Sequence, residues 1–181
     1  MKIIYLASNG VSLETDYDVK YNDIVEQEGI DIAGDMMGVD LGDFDFLIAT
    51  PPCNYWSRAN YRRETSKYAQ ATKHLLPNII EKFIGTGKPY IIENVINKPL
   101  MARNFDYGKD RLNYYEIGRH SYFTNLELDD ELIDYLQSLQ VKDDVQNITG
   151  SKRQGGYNVN IVFEEVIDKY GKGEIKIRKE E

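Results

Sequence analysis

Cys53 is the only thiol of the chain and Trp56 its only indole, and both lie in "TPPCNYWSRAN", residues 50–60. Pro51 and Pro52 stand directly before the thiol, and Glu93 and Asn94 follow forty positions later at the end of "KPYIIENV". A cysteine beside a carboxylic acid is the pair that covalent catalysis needs: the thiolate attacks and the acid manages a proton. The plainer alternative is that Cys53 is a small buried filler, the commonest use of a free cysteine, and that Glu93 is a loop carboxylate. Which reading holds depends on where the fold puts the two side chains.

The flanking segments read as the frame of an α/β domain. "KIIYLAS" is a first strand, stopped at Asn9-Gly10, and "DYDVKYNDIV" is a second. "GIDIAGDMMGVDL" holds two short apolar pieces around a turn at Gly34-Asp35. "FDFLIAT" is a buried strand that Pro51-Pro52 must end, because proline cannot continue a ladder. Residues 65–84 read as helical, with Pro77 at the first turn of a second helix and Gly85 and Gly87 ending it. "KPYIIENV" follows as another buried strand, so strand–helix–strand predicts a parallel sheet. In such a sheet ligands bind beyond the carboxyl ends of the strands, which is where Cys53 and Glu93 both fall. Further on, "DDELIDYLQSLQ" and "NVNIVFEEVIDKY" read as helices, the latter amphipathic through Val159, Val162, Phe163, Val166, Ile167 and Tyr170. Residues 1–172 are expected to form one domain and residues 173–181 a charged strand or tail.

Composition narrows the partners. There are 22 basic and 30 acidic side chains among 181 residues, a net charge of −8. A protein held on duplex DNA by phosphate contacts usually shows a basic footprint, so nucleic acid requires a local patch or a partner chain, or is not the ligand. A local patch exists: "SRANYRRETSKYAQATKH" carries Arg58, Arg62, Arg63, Lys67 and Lys73 against the single acid Glu64. One cysteine gives no internal disulfide, and "MKIIYLASNG" is too short and polar for a signal peptide, so a cytoplasmic protein with no membrane span is expected. Two histidines and one cysteine, far apart, make no metal-ligand set, and no phosphate-cradling glycine loop suggests a nucleoside triphosphatase.

Taken together, "ATPPCNYWS", "KPYIIENV" and "GRHSYFTNLEL" resemble the cytosine-5 DNA methyltransferases, most of all their short bacteriophage-encoded members, over about residues 29 to 126. The resemblance implies a Rossmann-like class I methyltransferase fold with a mostly parallel central sheet and helices on both faces. It implies a cytosine flipped from the stack, attacked at C6 by Cys53 and methylated at C5 from S-adenosylmethionine. It further implies that Glu93 contacts the N3 edge, that Asn94 holds the local turn, and that Arg119 matches the first arginine of an Arg-x-Arg motif. Pro51, Pro52, Asn54, Ser57, Arg58, Arg62 and Arg63 then face the DNA, and Ser8, Asn9, Gly10 and Asp35 the cofactor. Asp16, Asp18 and Asp23 are the candidates for the acid that holds the ribose.

The chain departs from that family in three places. The turn after the first strand is short, with little room for the helix that normally follows. Ser121 stands where the second arginine should be, which leaves Arg111 or Arg58 to replace it. Only "NLELDDELIDYLQSLQVKDDVQNITGSKRQG" is available for target recognition, too little for a recognition domain of ordinary size. Two functions stay open: a phage-type enzyme that shields phage DNA from restriction in the host cytoplasm, or a catalytically silent relative that binds DNA or a protein partner. A Rossmann-like domain with a chance motif is the third possibility.

Overall fold

The computed structural model describes residues 1–141 and 152–179. Its strands are β1 (Lys2–Leu6), β2 (Asp18–Asp23), β3 (Ile32–Ala33), β4 (Phe46–Ala49), β5 (Tyr90–Val95), β6 (Asn113–Ile117) and β7 (His120–Thr124). They form one sheet in the order β3-β2-β1-β4-β5-β7-β6. Every pair from β3 to β5 is parallel, whereas β7 runs antiparallel to both β5 and β6. The chain is thus an α/β protein with a mostly parallel seven-stranded sheet. Up to β5 the order is that of a doubly wound sheet, and connections leave in opposite directions from β1 and β4.

The apolar runs form strands because both faces of the central strands are covered. Ile4, Leu6, Leu47, Ala49, Tyr90 and Ile92 face one layer, made by α1 (Lys67–Thr72), α2 (Leu75–Thr86), α3 (Lys98–Asn104) and a 3₁₀ turn at Met36–Gly38. Ile3, Tyr5, Phe46, Ile48, Ile91 and Tyr122 face the other, made by α4 (Asp130–Ser138) and α5 (Lys152–Gly171). The break between α1 and α2 falls at residues 73–74, so Pro77 lies in the first turn of α2, where its missing N–H costs no helical bond. Gly87, at φ +68°, caps α2, while Gly85 lies inside the helix.

Residues 7–17 cross from β1 to β2 without a helix. They run beside α5 instead: the Glu14 N–H donates to Glu164 Oε1 at 2.9 Å, and Leu13 belongs to the α5 core. Phe163 of α5 meets Tyr5 edge-on at 5.5 Å, and Tyr170 meets Phe46 at 5.4 Å. The C-terminal helix therefore covers the face that the crossover leaves bare. Beyond it, Ile175 is buried, and the chain pairs with residues 125–127 through Glu127 N to Lys176 O and Arg178 N to Asn125 O.

Two elements add to the expected set. The seven-residue α3 is preceded by Asn97 as its N-cap and has a proline in its first turn. The β6–β7 hairpin closes on the two residues Gly118-Arg119, with Gly118 at φ +61°, as the first position of such a turn requires. No helix among the described residues is long and apolar enough to cross a membrane. Residues 142–151, part of the stretch considered for target recognition, lie outside the described residues.

Candidate active site

The carboxyl rim of the parallel strands gathers most of the chemically promising residues. Ser8, Asn9 and Gly10 leave β1, Asp23 ends β2, Asp35 follows β3, Cys53 follows β4, and Glu93 and Asn94 lie near the end of β5. The β6–β7 turn brings Arg119 to the same rim, because His120 pairs with Val95 at the end of β5. Arg111 precedes β6 at the opposite rim and is held by Glu81 and by the Asp106 carbonyl, so it does not join the residues around Cys53. Among the candidate aspartates, Asp18 opens β2 and Asp16 precedes it, which leaves Asp23 as the one beside the β1 turn.

The loop after β4 is held down almost carbonyl by carbonyl. Asn94 Nδ2 donates to the Pro51 carbonyl at 3.1 Å, and Asn97 Nδ2 to that of Trp56 at 2.8 Å. The Cys53 carbonyl accepts from the N–H groups of Trp56 and Ser57, and that of Asn54 from the Asn60 amide. Arg63 donates to Tyr55 O at 2.9 Å and to Ser57 O at 2.7 Å. Such complete pairing is what a loop under partial burial needs. It also divides the basic cluster: Arg63 is committed to the loop itself, while Arg58 and Arg62 are exposed, with Tyr61 between them 95% exposed. The buried ring of Trp56 packs edge-on against Tyr55 and Phe105 and anchors the loop from below.

Cys53 reaches solvent, so it is not a core filler. Crowding by its neighbours, and then the negative charge of Glu93, push the thiol above its ordinary range. The thiol and the carboxylate thus share one electrostatic neighbourhood. Glu93 in turn touches His120, with Nδ1 and Oε1 2.8 Å apart and side-chain exposures of 13% and 20%. The same carboxylate contributes to the raised hydroxyls of Tyr5 and Tyr122, for which burial is the larger cause.

Ser121 is fully buried, and its hydroxyl donates to the Asn94 and Val95 carbonyls at 3.1 and 2.8 Å. It ties β7 to β5 and has no free donor for a substrate. Asn94, 1% exposed, also accepts from Val95 N at 2.9 Å, so one side chain fixes both the strand end and the cysteine loop.

The β1 end shows strain of the kind that accompanies ligand sites. Ala7 and Asn9 both have φ +54°, and Gly10 has φ +72°. Asn22, fully buried, steadies this turn through Ala7 N and its own bonds to the Ile32 and Gly34 carbonyls. Asp23 accepts from Asn9 N at 2.7 Å, and Thr50 Oγ1 donates to Ala7 O at 2.7 Å, joining the ends of β1 and β4. The Ser8 hydroxyl is buried with no hydrogen-bond partner among the described residues. Asp35 instead caps the 3₁₀ turn by accepting from Met37 N at 2.9 Å. An orphan hydroxyl, a carboxylate and a strained turn beside the switch point suit a nucleoside-bearing ligand.

Sequence reasoning did not single out Asn97, Thr50 or the His120–Glu93 contact. A signal for the last was present, since "GRH" supplies a glycine turn that carries a histidine back onto the neighbouring strand. No group of three or more metal-ligating side chains occurs among the described residues. No protein-family model matches the chain, and no curated protein matches it at a significant level.

Proposed function

We propose that this chain is a DNA cytosine-5 methyltransferase of the short phage type. One observation carries the reading: the Cys53 thiol and the Glu93 carboxylate sit at the ends of two neighbouring parallel strands and are coupled electrostatically beside a topological switch point. The resemblance of "ATPPCNYWS" and "KPYIIENV" to that family supplies the roles.

Ser8, Asn9, Gly10 and Asp23 are the residues that would hold S-adenosylmethionine, with Asp35 toward its adenine. When bound, that cofactor supplies an electrophilic methyl group. Cys53, after its proton leaves to solvent, forms a bond to C6 of the flipped cytosine, and the displaced ring electrons leave N3 ready to take a proton through Glu93. C5 then has carbanion character and would take up that methyl group. Loss of the C5 proton to solvent, return of the N3 proton through Glu93 and departure of the sulfur from C6 as thiolate restore the ring and the enzyme. Arg58, Arg62 and Tyr61 offer charge and a stacking face to the nucleic acid around the site.

The buried, fully occupied Ser121 favours a second reading, a silent relative that binds DNA or completes a partner chain, because no second arginine is present in that position. The two separate in one assay: transfer of a labelled methyl group from S-adenosylmethionine to mixed-sequence DNA. The enzyme reading expects transfer by the native chain and none by Cys53→Ala, and transfer that survives the substitution would reject the covalent mechanism.

A further inference from the structure

The Glu93–His120 contact is not required by the fold, since Ser121 and the β5–β7 ladder already join these strands. Both side chains are mostly buried, and the Glu93 charge bears on the Cys53 thiol. A carboxylate only accepts hydrogen bonds, so with Glu93 in that form the donor of the 2.8 Å contact is the N–H at His120 Nδ1. A carboxylate beside an imidazole favours the imidazolium, and an imidazolium cancels the charge that opposes thiolate formation.

We propose that His120 is a positioning residue of the Cys53–Glu93 site, which neutralises the Glu93 carboxylate beside the thiol and supplies, through Glu93, the proton that the bound base takes. The first half stands on the Glu93–His120 contact and on the placement of Cys53 and Glu93 at the ends of the neighbouring strands β4 and β5, and the second rests on the methyltransferase reading above. In that second half the proton on Nδ1 passes to the Glu93 carboxylate, which hands it on to the ring nitrogen and leaves His120 neutral. Both transfers reverse when the sulfur leaves C6, so no external acid is consumed. The charge that the absent arginine would bring is thus supplied from the preceding position, on the other face of β7. The described titratable groups that feel Glu93 are Cys53 from the loop after β4, Tyr5 from β1, and His120 and Tyr122 from β7. Arg119 adjoins the histidine in the turn.

Cys53 is the only thiol, so the rate of its alkylation by iodoacetamide against pH reads this site alone. Removing the carboxylate with Glu93→Gln should lower the midpoint and speed alkylation at pH 7. Removing the imidazole with His120→Gln should slow it about threefold, on the order of half a pH unit in midpoint. In the double variant the His120 effect should vanish. An unchanged rate in His120→Gln, or the same slowing whether or not Glu93 is present, would overturn the proposal. Should His120→Gln fail to fold, imidazole NMR of the native chain and Glu93→Gln decides the matter, with only His74 and His120 to assign. The His120 titration midpoint must fall in Glu93→Gln, and a midpoint that stays put refutes the pairing. The catalytic half is read from the pH profile of methyl transfer, whose acidic groups should shift in His120→Gln. An intact thiol coupling with no cofactor binding would sink the methyltransferase reading and leave the pairing in place.

Discussion

Asn94→Ala tests whether the cysteine loop is positioned by the strand next to it. The side chain is 1% exposed and makes two bonds, Nδ2 to Pro51 O at 3.1 Å and Oδ1 from Val95 N at 2.9 Å. Truncation leaves a carbonyl and an N–H without these partners in a largely dry place. Each orphaned group costs roughly 1–3 kcal/mol, so about 2–6 kcal/mol of stability should be lost. For a chain of this size about 1 kcal/mol corresponds to roughly 2–4 °C, which places the drop in Tm at about 4–24 °C. The same change frees Pro51, and with it the approach of Cys53 to solvent. Thermal unfolding by circular dichroism gives the first quantity, and alkylation of Cys53 below Tm gives the second, expected to quicken. A Tm within about 2 °C of the native value, with alkylation unchanged, would show that Asn94 does not hold the loop.

Arg58→Ala and Arg62→Ala should each weaken binding to duplex DNA and flatten the dependence of log K on log salt by about one unit for every phosphate left without its cation; a salt-independent affinity would dismiss the basic loop as a DNA-binding element. Arg63→Ala should behave differently, lowering Tm because Tyr55 O and Ser57 O forfeit their donor and releasing the loop, which urea unfolding would register. Phe163→Ala removes a fully buried ring that packs edge-on against Tyr5 and Tyr122, and should cost about 3–5 kcal/mol in the same measurement. A change near zero would mean that α5 does not cover β1 in solution. Burial raises the hydroxyls of Tyr5, Tyr90 and Tyr122 above the ordinary range. The folded chain therefore keeps protons that the unfolded chain releases near pH 10, so stability holds at neutral pH and falls as pH climbs beyond about 10, measurable as a declining Tm.

The parts of this fold that the sequence displays are those that rest on apolar runs. "KIIYL", "FLIA" and "YIIENV" are buried on both faces, and continuous hydrophobicity is the signature of such strands. The β6–β7 hairpin escapes that logic: "NYYEI" is half-buried, and "HSYFT" buries Ser121 and Thr124, whose hydroxyls donate to carbonyls of β5. Polarity hid a central strand because its polar atoms are paired across the sheet. The site divides in the same way. Cys53, Glu93 and Asn94 stand out because they follow legible strands. Arg62 and Arg63 are neighbours of one residue type, yet one is exposed and the other pins the loop, a distinction that only the folded path of residues 53–66 creates. Asp16, Asp18 and Asp23 likewise differ only in which end of β2 they occupy.

The most direct test of the central claim is calorimetric titration of the native chain with S-adenosylmethionine, in the presence and absence of cytosine-containing DNA, with Asp23→Ala as the control. A methyltransferase should bind with micromolar strength, and the substitution at the end of β2 should weaken that binding at least tenfold. No heat of binding under either condition would contradict it, and would leave Cys53 and Glu93 as the remains of a site in a chain that binds something else.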